Sequence, residues 1–169
     1  SNPVIWRRVI MPADATFRRL HDVIQTVTNF LSGGPYGGYH LYEFDLSAEN
    51  TSVTNDEESF EEYQYYKQNK KQYEERLRLA PLGSFERSDL ERLMKTVVRQ
   101  PSRIKIDNYL EKYKEIRYSY DFGDGWEFLI TLEQIVDDYH FGYPTLLDGA
   151  ESAPPEDVGG LGGFEEFLK

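Results

Sequence analysis

The sequence predicts an α+β fold: an antiparallel sheet of about four to five strands, two or three helices packed on one face, and a Gly/Pro-rich C-terminal wrap. Three observations carry that expectation. "YHLYEFDL" and "YSYDFGDGWEFLITL" alternate apolar and polar residues as strands do. "TFRRLHDVIQTVTNFL" and "SDLERLMKTVV" place apolar residues three and four apart, as one helix face requires. Gly123-Asp124-Gly125, set between two apolar runs, marks a hairpin and therefore antiparallel pairing.

"PVIWRRVIM" reads as a first strand, rich in Val and Ile and closed by Pro12. Asp14 or Thr16 then caps a helix with Phe17, Leu20, His21, Ile24, Val27 and Leu31 on one face. "SGGPYGGY" ends it and supplies a loop. Along "YHLYEFDL", His40, Tyr42, Phe44 and Leu46 share one face, with Leu41, Glu43 and Asp45 on the other. Residues 50 to 76 turn polar, with Phe60, Tyr63, Tyr66 and Tyr73 at roughly helical spacing, and read as a surface helix. "SDLERLMKTVVRQP" reads as a firmer one: Ser88 and Glu91 make a capping box, Leu90, Leu93, Met94 and Val97 line one side, and Pro101 closes it. Together these suggest a single domain over 1–169 with a helical insertion at about 50–100. "RIKI" is a short strand candidate and "DNYLEKYKE" a short helix or loop. From Gly142 onward Gly and Pro predominate, which predicts a surface wrap with little regular structure.

Composition bounds the function. At 39% hydrophobic and 15% aromatic residues the chain has the apolar content to fold. Cysteine is absent, which removes disulfides, thiolate metal sites and a Cys nucleophile together and fits a cytoplasmic setting. There is neither a bilayer-length apolar run nor a signal-peptide pattern, so no membrane partner is expected. A net charge of -11 disfavours nucleic acid. The charge is uneven, however. Arg76 to Lys105 carries eight basic and three acidic residues, whereas Asp121 to the end carries twelve acids against Lys169. The basic segment 76–105 keeps a nucleic-acid reading open.

The hairpin register can be argued from its faces. A two-residue loop would mix charge into the apolar side by pairing Phe122 with Glu127. A three-residue loop pairs Phe122 with Trp126, Tyr120 with Phe128, Tyr118 with Ile130 and Ile116 with Leu132. It also sets Asp121 across from Glu127, two like charges that call for a compensator. A cation, Arg117, backbone donors or a shared proton would serve. Solvated acids, a salt bridge, and a metal or catalytic site held by Asp121 and Glu127 are the three readings. His21 and His40, each on an apolar face, read either as hydrogen-bonded core histidines or as an imidazole pair for metal or acid–base work. His140 reads as a loop residue. No H-E-x-x-H, G-x-S-x-G or Cys-His spacing accompanies them.

Four motifs in order, "PVIWRRVIMPADATFRRLHDVIQ", "HLYEF", "YSYDFGDGWEFLITLE" and "APPEDVGGLGGFEEFL", resemble the plasmid pRiA4b ORF-3-like family. The resemblance skips about residues 50 to 100. It matches Trp6, Arg7 and Arg8 to the family's opening, His21 to its helix, and His40 to its second strand. Asp121, Gly123, Asp124, Trp126 and Glu127 match its hairpin, and Pro154, Pro155, Glu156, Asp157, Gly159 and Gly160 its C-terminal signature. The resemblance implies a fold and no established activity. Members often carry His where this chain has Phe128, Cys where it has Ala153, and a further strand upstream of Pro3. Two lost ligand types weaken a metal reading.

In the C-terminal motif, Pro154-Pro155 imposes an extended approach, and Glu156 and Asp157 offer carboxylates to free amides or to Arg7 and Arg8. The resulting expectation is an accessory module, associated with mobile elements and recognising a protein partner, with no cofactor. The alternative is a metal-assisted hydrolase or nuclease-like enzyme in which Asp121 and Glu127 hold a divalent ion and His21 or His40 assists.

Overall fold

Alternating side chains organise the centre of the molecule. The computed structural model describes residues 5–28, 40–121, 125–137 and 142–150. Tyr42, Phe44 and Leu46 turn inward along β2 (Tyr42–Leu46), and Ile116, Tyr118 and Tyr120 do so along β5 (Glu115–Tyr120), all 5% exposed or less. These strands pair antiparallel, with Tyr42 opposite Tyr120 and Phe44 opposite Tyr118. β3 (Thr51–Thr54), β4 (Val97–Arg99) and β6 (Trp126–Thr131) complete a five-stranded sheet in the order β4-β3-β2-β5-β6. All pairings are antiparallel except β3 with β4, which is parallel.

Two helices cover the inward face. α1 (Phe17–Thr28) begins where Thr16 Oγ1 accepts from the Arg19 amide at 3.2 Å, so Thr16 and not Asp14 supplies that bond. It buries Phe17, Leu20 and Ile24 against the sheet, and α5 (Asp107–Tyr113) adds Tyr109 and Leu110 to the same core. No helix among the described residues is long and apolar enough to cross a membrane.

Four expectations need correction. The β-branched run "TSVT" forms β3 instead of joining a helix. The polar helix predicted there is two, α2 (Glu57–Gln68) and α3 (Lys70–Leu79), broken at Asn69. α4 (Phe85–Lys95) starts earlier than the Ser88/Glu91 pattern suggested, because Ser84 caps it by accepting from the Arg87 amide at 3.2 Å. It also ends before Val97, since extended Thr96 leads Val97 and Val98 into β4 beside β3. "RIKI" yields a 3₁₀ turn at Pro101–Arg103 and a single bridge between Lys105 and Thr16. Tyr73, Ala80 and Leu90 give the 57–95 helices their own small core. This middle segment therefore builds the β3-β4 edge of the sheet as well as a helical appendage.

β1 (Trp6–Ile10) lies outside that sheet. It pairs antiparallel with β7 (Thr145–Ala150), part of the stretch expected to lack regular structure. A Cβ at Gly149 would lie 2.8 Å from Arg7 Cδ and 3.0 Å from the Trp6 carbonyl oxygen, so only glycine fits the pairing without a shift. The Arg7 guanidinium donates to the carbonyls of Val27, Trp6 and Ala150 at 2.9 to 3.0 Å. Arg8 lies 2.7 Å from Glu133 and 3.8 Å from Asp148, with its guanidinium 5.1 Å from the centre of the Trp6 ring. The Arg8 hydrogen bond holds the Glu133 carboxyl below its usual range. The arginines thus tie the first strand to the second half of the chain; Glu156 and Asp157, the partners offered by the sequence, lie outside the described residues.

Candidate functional site

The hairpin places the acids differently from expectation. Tyr120 pairs with Trp126, Tyr118 with Phe128 and Ile116 with Ile130, two residues out of the predicted register. A slip of two keeps every side chain on its predicted face while the cross-strand partners change. What decides the register is the junction of two nearly buried aromatics, Tyr120 and Trp126, which leaves five residues to make the connection. Ser119, not Asp121, now faces Glu127, and Glu127 is exposed. The like-charge pair across one rung does not form. Arg117 stands opposite Asp45 on one side and Leu129 on the other.

Asp121 turns out of the strand. Its φ of 54° lies in the left-handed region, which Asp tolerates better than most residues. Its amide donates to the Leu41 carbonyl at 2.9 Å and its carbonyl accepts from the Gly125 amide at 2.7 Å. This conformation aims the carboxylate at His40, with Asp121 Oδ2 3.1 Å from His40 Nδ1, both side chains largely sheltered. The contact is an ion pair only when the imidazole is protonated. His40 in turn meets the Tyr120 ring edge-on at 5.5 Å.

His21 occupies a drier place. It is 4% exposed and stacks on Tyr42, ring centres 3.7 Å apart and 8° from parallel. Its Nδ1 lies 2.7 Å from the Tyr118 hydroxyl, which also accepts from Gln25 Nε2 at 3.2 Å. The assignment that leaves no hydroxyl hydrogen stranded has Tyr118 donating to a neutral His21. Burial, helped by the nearby Arg18 charge, lowers the His21 pKa to about 4. Burial also raises the Tyr118 pKa, and it pushes Tyr42 up to about 12. His21 lies 6.2 Å from the Tyr120 ring centre, so Tyr120 is the neighbour the two histidines share.

Of the candidates the sequence offers, the structure gathers Asp121, His21 and His40 around Tyr120. It leaves Glu127 on the outer face. Tyr118, Gln25 and Tyr42, which give His21 its character, went unassigned; their signal was the tyrosine and glutamine at apolar-face positions. Among the described residues no group of three His, Asp or Glu side chains converges as a metal site. Phe128 packs against Tyr118 at 5.7 Å, where the resemblance would often have placed a histidine. Gly123, Asp124, His140, Pro154, Pro155, Glu156, Asp157, Gly159 and Gly160 lie outside the described residues.

A second feature was also missed. At the turn from α3 into α4, Leu79, Leu82 and Phe85 are 68%, 86% and 93% exposed. Hydrogen bonds shape that turn. Arg87 Nη1 donates to the carbonyls of Leu77 and Ala80, both at 3.1 Å, and Ser84 Oγ donates to the Pro81 carbonyl at 2.7 Å. Gly83 supplies the φ of 79°. The clue in the sequence was "LRLAPLGSF", a Pro-Gly turn carrying large apolar residues where polar ones are the rule.

Comparison with known proteins bears on the whole chain. The family model for plasmid pRiA4b ORF-3-like proteins matches residues 1–169. An uncharacterised protein, y4hQ of Sinorhizobium fredii, is 27% identical over 167 residues, covering 99% of this chain and 66% of its own length. The crystal structure of MM3350 from Methanosarcina mazei, titled a protein of unknown function, superposes with a TM-score of 0.60 at 26% identity, covering 97% of this chain and 71% of that one. The chain thus spans about two thirds of its relative's length.

Proposed function

The chain belongs to the plasmid pRiA4b ORF-3-like family, and from that premise we propose that it is a non-enzymatic binding module whose partner is another protein with an apolar pocket. The carrying observation is the exposed trio Leu79, Leu82 and Phe85 on a turn braced by Arg87 and Ser84. Isolated apolar residues on a surface mean little, but three on one braced turn form an anchor whose ordering cost is already met. The association with mobile elements belongs to the same reading. The test begins with a photo-crosslinking residue at Phe85 to identify the partner, followed by titration of that purified partner. Leu82→Asp with Phe85→Asp is expected to weaken binding by at least about 100-fold while leaving Tm in place. Equal affinity in the double variant overturns the reading, as does crosslinking only to a second copy of the chain.

A second reading rests on the sheltered His40–Asp121 contact beside Tyr120, an arrangement that suits acid–base work or a divalent ion better than Asp121 and Glu127, which do not face each other. Millimolar divalent metal is expected to raise Tm in the native chain and not in Asp121→Asn, if that dyad holds an ion. Asn keeps the left-handed backbone, so Asp121→Asn should cost under about 1 kcal/mol, whereas β-branched Asp121→Val should cost about 2 to 3 kcal/mol. Equal metal shifts in native and Asn forms remove the dyad as the ion's holder.

A further inference from the structure

We propose that the cleft between α2 and β4 binds a small molecule that joins a phosphate to a planar ring, a ligand of mononucleotide size. The cleft holds about 360 Å³, within the usual range for small-molecule sites. Its walls follow from local structure. Phe60, Tyr63 and Lys67 recur on one face of α2, and across from them stand Arg99 and Gln100 at the end of β4 and Arg103 in the 3₁₀ turn behind Pro101. β4 is the outer strand of its sheet, so this wall is a sheet edge and not a packed interior.

Charge identifies the ligand class. Acidic residues outnumber basic ones in the chain, 30 to 19, yet the cleft is lined by three cations and, among the described residues, by no carboxylate. Elsewhere four arginines are matched to acids: Arg8 to Glu133, Arg78 to Glu75, Arg87 to Glu91 and Arg92 to Asp89. Among the described residues the side chains of Arg99 and Arg103 form no hydrogen bond or ion pair, and Lys67 sets its ammonium 5.6 Å from the centre of the Tyr63 ring. Three exposed cations around one concavity raise its local positive potential, which favours an anion among them. Two guanidinium forks and an ammonium suit phosphate oxygens, which accept several donors at once. Phe60 and Tyr63 line the same cleft and give it aromatic surface suited to a planar ring. The site is separate from the apolar turn at 79–85, so either proposal can fail without the other.

The test is titration calorimetry of the full chain with the four nucleoside monophosphates, phenyl phosphate, a nucleoside, inorganic phosphate and a poly-dT oligonucleotide, at near-physiological salt. At least one phosphate-bearing ring compound is expected to bind with Kd of about 1 mM or tighter. The nucleoside and inorganic phosphate, each lacking one half, should bind at least about tenfold more weakly. Arg99→Gln with Arg103→Gln should lower the affinity at least about tenfold without moving Tm, because both side chains are exposed. Failure of every phosphate-bearing ring compound to bind overturns the proposal, and so does equal binding by the double variant. Binding of poly-dT alone, with steep salt dependence, also overturns it and assigns the cleft to a nucleic-acid strand.

Discussion

Tyr118→Phe, the loss of one oxygen atom, is expected to destabilise the fold by about 3 kcal/mol and lower Tm by roughly 10 °C. The size comes from what the hydroxyl holds. It joins His21 Nδ1 at 2.7 Å to Gln25 Nε2 at 3.2 Å in a buried setting. Phenylalanine fills nearly the same volume, so no large cavity opens, but an imidazole acceptor and an amide donor lose their partner together. Each buried group left unsatisfied costs about 1 to 3 kcal/mol. Adding Gln25→Met removes the stranded donor and should recover about 1 kcal/mol relative to Tyr118→Phe alone. Thermal unfolding of the native chain and both variants checks this. An unchanged Tm in Tyr118→Phe would mean that the hydroxyl anchors nothing.

Acidification should cost a comparable amount through His21. Its pKa is about 4 in the folded chain against an ordinary 6.5, so between these values the unfolded chain binds the extra proton. Stability from this group is therefore fully present above about pH 6.5 and falls as the pH drops through 4. The total is on the order of 3 kcal/mol. Carboxylates titrate near the lower end of the same window, so the comparison that isolates His21 is the slope between pH 6.5 and 5 in the native chain and in His21→Phe. Phe keeps a ring against Tyr42 and cannot take a proton. Denaturant unfolding at several pH values should give a clear slope in the native chain and a nearly flat one in the variant. Parallel slopes would place the titration elsewhere.

Much of the core was legible in the chain because strand faces follow a period of two. Tyr42, Phe44, Leu46, Ile116, Tyr118 and Tyr120 were all readable as inward-facing, and all are buried. A slip of two residues leaves that pattern untouched, which is why the faces of the hairpin were right and its register was not. The Asp121/Glu127 pair depended on register and was lost with it. His40 and Asp121 are 81 positions apart in the sequence, and no local pattern links them. The pairing of Tyr42 with Tyr120 and a left-handed turn at Asp121 bring them together.

By itself the sequence determined the α+β class, the inward faces of β2 and β5, the α1 stripe and the family, because these depend on periodicity and motif order along one stretch of chain. Tertiary structure alone decided that β7 pairs with β1, that Thr51–Thr54 and Val97–Arg99 form a sheet edge, and that Asp121 answers to His40. The reason is physical. Strand pairing over long separations is settled by which buried surfaces fit after loop closure, a long-range contest in which local propensity sets the candidates and packing chooses among them.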